Sequence, residues 1–75
     1  MDYQILKSKL VLKNMTYEEL AERMEAEGAS ITEKHLGSKI RGKYEFNRAE
    51  IKAIKTVLKL SDAEVMDIFF DGEEK

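Results

Sequence analysis

Ser38, Lys39, Arg41 and Lys43 fall close together in the stretch LGSKIRGK, Leu36–Lys43. All four side chains donate hydrogen bonds, and Lys39, Arg41 and Lys43 are cations. Leu36 and Ile40 stand at i and i+4 in the same stretch, which marks one apolar side of a helix. The opposite side is polar and basic. That is the face a helix needs if it is to lie in the major groove of DNA. A second amphipathic stretch, TYEELAERM, Thr16–Met24, comes before it. The order is an apolar-lined helix, a turn, then a basic helix that ends in Arg41-Gly42-Lys43. A basic helix face is also what an ordinary solvated surface looks like, so the flanking pattern has to carry the weight.

Other chemistries find little to work with. The chain has no Cys, so a disulfide framework and a thiolate metal site are both excluded. His35 is the single histidine. Metal and acid–base chemistry need several ligands or a paired base, so an edge histidine is the simpler reading. The carboxylates sit at helix N-termini and on polar faces, where capping and helix dipoles account for them. There is no Gly-rich phosphate loop, no G-x-S-x-G and no H-E-x-x-H. No enzyme, no metal site and no cofactor is expected.

The net charge of −2 is unpromising for nucleic acid, yet its distribution is uneven. Residues 1–29 carry −2, residues 30–60 carry +5 and residues 61–75 carry −5. A basic segment beside an acidic one gives a polarised molecule, unless folding intermixes them. No stretch approaches a transmembrane span, and MDYQILKSKLVL lacks the apolar run of a signal peptide. A soluble, cytoplasmic protein is expected.

Seventy-five residues allow a single domain, residues 1–75, with one compact core. Helix starts are marked three times by a Ser, Thr or Asn with Glu three residues on: Thr16–Glu19, Asn47–Glu50 and Ser61–Glu64. Each pair spells a capping box, and each precedes an apolar pattern at helical spacing. Inward residues are expected to be Leu20, Ala21 and Met24, then Ile51, Ile54, Val57 and Leu58, then Val65, Ile68 and Phe69. Two further helices cover residues 3–13, with Tyr3, Leu6 and Leu10 on one face, and residues 33–41 behind the N-cap Thr32. Gly28 and Gly42 fit helix stops. No alternating run is long enough for a strand. The fold class is therefore all-α with five helices.

NMTYEELAERM resembles the opening of Cro/CI-type helix-turn-helix repressors, often called the XRE family. LGSKIRGKYEFNRAEIKAIKTVLKLSDAEVMDIFF resembles the second half of small phage-encoded regulators of that class. The resemblance runs from about Leu6 to Phe70. It implies a five-helix, lambda-repressor-like DNA-binding domain with the helix-turn-helix at residues ~17–41. It implies a transcriptional regulator of a phage, prophage or bacterium, acting on double-stranded DNA by occupying an operator. Under that resemblance Lys34, Lys39 and Arg41 donate to guanine or phosphate, and Ser38 donates or accepts. Phosphate contacts fall to Thr16, Tyr17, Lys43, Tyr44 and Asn47, at the start of the second helix and in the loop after the third. Tyr17 and Tyr44 could equally be rim of the core. Gly37, in mid-helix, suggests close approach to DNA or to another helix. One departure stands out. EAEGASITEKH separates Met24 from Leu36, where the family has a turn of a few residues. Either the second helix runs an extra turn to Glu27 or the loop is enlarged, with Ile31 plugging the core.

Ile68, Phe69 and Phe70 cannot all be buried by one helix face. Phe69 is expected in the core and Phe70 at its edge. A homodimer through Ile68 and Phe70 is one reading of that edge, and local packing is the other. A different class also fits the chain: a helical protein-interaction module with a repressor-like fold that no longer binds DNA. Its supports are the net negative charge, the enlarged turn and the acidic tail.

Overall fold

The computed structural model describes residues 3–70. Five helices follow one another: α1 Gln4–Leu12, α2 Tyr17–Ala26, α3 Glu33–Ile40, α4 Arg48–Leu58 and α5 Asp62–Phe69. No strand occurs among the described residues. None of these helices is long and apolar enough to cross a membrane. The all-α, five-helix expectation holds.

Helix starts follow the side chains expected to cap them. The Asn47 and Ser61 side chains accept from the backbone N–H groups of Glu50 and Glu64, and each Glu reaches back to its cap residue's N–H. Two free N–H groups are satisfied at each of these ends. Thr16 forms only half of the expected box. Its Oγ1 accepts from Glu19 N at 3.1 Å, but the Glu19 carboxylate turns along the helix to Arg23 Nη2 at 3.0 Å. An i,i+4 cation on the solvent face competes successfully with the cap.

The ends of α1 to α4 share one geometry. At Asn14, Gly28, Gly42 and Lys59 the chain takes a positive φ, between 56° and 95°. The next residue then donates back to a carbonyl five positions earlier: Met15 to Leu10, Ala29 to Met24, Lys43 to Ser38 and Leu60 to Lys55, all at 2.9–3.0 Å. This is the left-handed stop that covers carbonyls otherwise left open at a helix end. Gly28 and Gly42 adopt it without a Cβ penalty. Asn tolerates it and Lys does so at a cost, which is why the sequence signalled two of the four stops.

Leu6, Leu20, Met24, Leu36, Ile40, Ile54 and Leu58 are fully buried and join all helices but α5. Ile68 and Phe69 bring α5 into the same cluster. Helix α2 packs on both α3 and α4, while α5 lies on α1 and α4. Tyr3, Phe46 and Phe69 close one end as a triangle of rings, with centroids 5.2, 5.5 and 5.7 Å apart. Such tilted and edge-to-face contacts suit the ring quadrupoles. Ile51, Val57 and Val65 reach the core only partly, contrary to expectation, because they lie at the margins of their buried faces. Ala29, Phe46 and Leu60 enter it from connecting segments. The long connection resolves simply: α2 continues to Ala26, Glu27 caps it and Gly28 stops it. Ala29 is then buried and Ile31 packs against the core from the loop.

Candidate nucleic-acid interface

Helix α3 is held from both ends and from behind. Thr32 Oγ1 accepts from His35 N at 3.1 Å and starts it. Leu36 and Ile40 are 0% exposed and fix its rotation about its axis. Ile40 O accepts from Tyr3 N at 3.3 Å, tying its C-terminal end to the start of α1. Gly37, between the two aliphatic anchors, is also buried. What remains outward is Glu33, Lys34, His35 and part of Ser38, followed by Arg41 and Lys43.

Two surface depressions flank this outward face, and Lys34 lines both. The first is formed by Tyr17, Glu33, Lys34, Gly37 and Arg41. The second is formed by Thr32, Lys34, His35, Ser38, Lys43 and Tyr44. The His35 and Tyr44 rings meet edge to face in it, 6.1 Å between centroids and 88° between planes. Tyr17, the first residue of α2, is half-buried against the core, while Tyr44 is 52% exposed. A third depression continues from Lys43 and Tyr44 past Glu45 to Tyr3, Phe46 and Phe70. The face therefore combines three cations, two phenols and two hydroxyls with one carboxylate, Glu33, in the first depression. Glu27 stays away from it and lines a separate hollow with Lys52 on α4.

Lys39 is not on this face, which corrects its expected outward position. Its Nζ donates to both oxygens of Glu50, at 2.6 and 2.8 Å, and only 14% of its side chain and 8% of that of Glu50 are exposed. The ammonium also lies 5.9 Å from the centre of the Phe46 ring. Lys39 precedes the anchor Ile40 by one residue, so a long flexible stem is enough to carry its charge around to α4. Glu50 attracts it there because its carboxylate is fixed by the Asn47 cap. Asn47 is exposed but lines neither depression of α3. Its Oδ1 accepts from Glu50 N at 2.8 Å and its own N–H donates to Glu50 Oε1 at 3.0 Å. What it keeps for any further partner is the amide NH2.

Tyr17, Lys34 and Arg41 thus meet in one hollow, and Lys34, Ser38, Lys43 and Tyr44 in its neighbour. Thr32 and His35 join the second hollow without having been foreseen as site residues. The signal for His35 was its phase, one position before Leu36, which puts it at the border of the buried side. Among the described residues no cluster of His, Asp or Glu is arranged to hold a metal. At the other end of the chain Phe69 is 5% exposed and Phe70 39%, in the expected order. Ile68 is 3% exposed. It packs inward with Phe69, which leaves Phe70 as the more exposed of the two residues foreseen at a dimer contact.

Residues 3–48 match the family model described as Domain of unknown function (DUF6471). That span contains α1 to α3 and every residue of the two α3 depressions. No curated protein and no solved structure matches the chain.

Proposed function

We propose that this chain, which belongs to the DUF6471 family, is a sequence-specific DNA-binding transcriptional regulator with a lambda-repressor-like helix-turn-helix. In this reading α2 and α3 form the motif and α3 enters the major groove. The observation that carries it is the outward face of α3. Lys34, Arg41 and Lys43 are spread along it beside Tyr17, Ser38 and Tyr44, while Leu36 and Ile40 anchor its back. Cations and neutral donors along one exposed helix side are the complement of base edges flanked by phosphates. Tyr17 opens α2, where free backbone N–H groups favour an anion, and in this reading its phenol shares a phosphate with the helix end. Lys43 and Tyr44, just after the Gly42 stop, serve the opposite strand. Regulation follows by occupancy, in the cytoplasm of a bacterium or from a phage or prophage, as the Cro/CI resemblance implies. Paired half-sites ask for two copies. With Ile68 withdrawn, Phe70 is the aromatic of the tail that can contribute to such a contact.

A second reading is favoured by the loss of Lys39 and the presence of Glu33: a repressor-like fold used to bind a protein. Binding to a random-sequence duplex across a salt series separates the two. The DNA reading expects affinity to fall steeply with salt, and the slope to drop by roughly one for each of Lys34→Ala and Lys43→Ala. Absence of binding at low salt favours the protein-interaction module.

A further inference from the structure

Gly37 is a glycine with no conformational reason to be one. It sits inside α3, and the positive-φ glycines of the described chain are Gly28 and Gly42. Glycine in a helix interior weakens the helix. The reason for it is spatial. A Cβ at this position would stand 3.3 Å from Arg41 Nη1, 3.4 Å from Tyr17 Cδ2 and 3.6 Å from Tyr17 Cε2. Arg41 is four residues further on, so its side chain folds back over one turn of its own helix. Its Nη1 abuts the space a Gly37 Cβ would fill, and the Tyr17 ring borders the same space. Glu33 lines this hollow as well. A carboxylate beside Arg41 repels a phosphate but can accept from the amino group of a cytosine.

We propose that Gly37 is the specificity-determining position of the α3 face. The space left by its missing Cβ seats the Arg41 guanidinium beside Tyr17, and the seated fork reads one guanine in the groove. This inference rests on the DNA-binding reading above. Two parallel N–H donors match O6 and N7 of guanine, and a fork already lying in place gives up less rotamer freedom on binding. Lys34 and Lys43 supply charge along the face. Arg41 supplies selection, with Glu33 steering it from backbone to base.

The test uses the full chain, its Arg41→Lys, Gly37→Ala and Gly37→Val variants, random-duplex selection, and affinities for the selected site with guanine or adenine at each position. Wild type is expected to demand guanine at one position. Arg41→Lys keeps the charge but loses the fork, so that preference should fall by roughly 5- to 150-fold. Gly37→Ala should melt no lower than wild type and still lose part of the same preference. Gly37→Val, whose methyls occupy the guanidinium seat, should lose it wholly. The Arg41 Nε–Hε signal of the free protein should shift in both Gly37 variants. Retention of the wild-type motif by both Gly37 variants, with an unmoved Arg41 signal, overturns the proposal, and so does an unchanged motif in Arg41→Lys. Failure of the DNA reading itself looks different: wild type then enriches no sequence, whatever the Arg41 signal does, and the inference falls with it.

Discussion

Lys39 shows how two neighbouring cations of one helix can take opposite roles. Arg41 stays at the surface, whereas Lys39 is spent on Glu50, itself 6% exposed and already committed to the α4 cap. The pair bolts α3 to α4, so it acts on the fold that presents the face. Removing one partner of a buried ion pair leaves the other charge uncompensated, which costs about 3–5 kcal/mol. Lys39→Ala should therefore lower urea stability by an amount in that range. The double variant Lys39→Met/Glu50→Gln should regain most of it, because the amide oxygen can still cap Asn47 N–H and the Met stem still covers Phe46. A double-mutant cycle in urea measures both. A small effect of Lys39→Ala, with DNA affinity lost instead, would return Lys39 to the groove. Periodicity placed Leu36 and Ile40 correctly and left Lys39 outward. A helical wheel locates Cα positions, and the end of a lysine stem reaches well beyond them.

At the scale of elements, starts were more legible than stops. Caps are written in side chains: Asn47, Ser61, Thr16 and Thr32 all accept where their residue type predicts. Stops are written in backbone conformation, and Asn14 and Lys59 adopt the left-handed region without a glycine to announce it. Lys59 has φ 56° and ψ 49° and is exposed. An L-residue pays roughly 1–2 kcal/mol there. Lys59→Gly should raise stability by up to about 1 kcal/mol, since glycine gives back part of the gain as chain entropy. Thermal melts decide the sign, and a lower melting temperature would contradict the stop.

The α1–α5 contact makes a prediction in pH. Lys9 Nζ donates to Glu64 Oε2 at 2.8 Å, and Ser61 N donates to Glu64 Oε1 at 2.8 Å. The Lys9 hydrogen bond first, then the Ser61 backbone, pull the Glu64 pKa from 4.5 down to about 2. The folded value lies below the unfolded one, so this contribution is present above about pH 4.5 and is lost as pH falls toward 2. Lys9→Met should shrink the acid loss in that window and move the Glu64 carboxyl titration, followed by NMR, back upward. A Glu64 midpoint that is unmoved by Lys9→Met would contradict the pairing.

For the whole molecule, the charge blocks of the sequence survive folding only in part. The basic middle segment divides: Lys34, Arg41 and Lys43 line the α3 face, Lys39 pairs with Glu50, Lys52 lines a hollow with Glu27, and Lys55 pairs with Asp62. Of the eight cations of that segment, Lys39 and Lys55 are thus consumed by internal pairing. The five-helix architecture and most of the core were readable because apolar spacing and capping agree at α2 to α5, while α1 starts without a side-chain cap and shows itself by apolar spacing alone. Phe46 and Ala29 were not, since loop residues have no period to betray their burial. Asp71, Glu73 and Glu74 of the acidic tail lie outside the described residues. The Tyr17–Gly37–Arg41 arrangement was half legible: a mid-helix glycine signals close approach, but what approaches depends on how α2 lies against α3.

DNA reading by the α3 face is open to a single decisive experiment, selection from a random duplex pool. Full-length wild type and Arg41→Ala are each carried through several rounds and the recovered duplexes sequenced. A defined motif is expected for wild type, with at least one guanine whose enrichment is lost in Arg41→Ala. A wild-type pool that remains as random as the input, under low-salt conditions where the protein is folded, contradicts it.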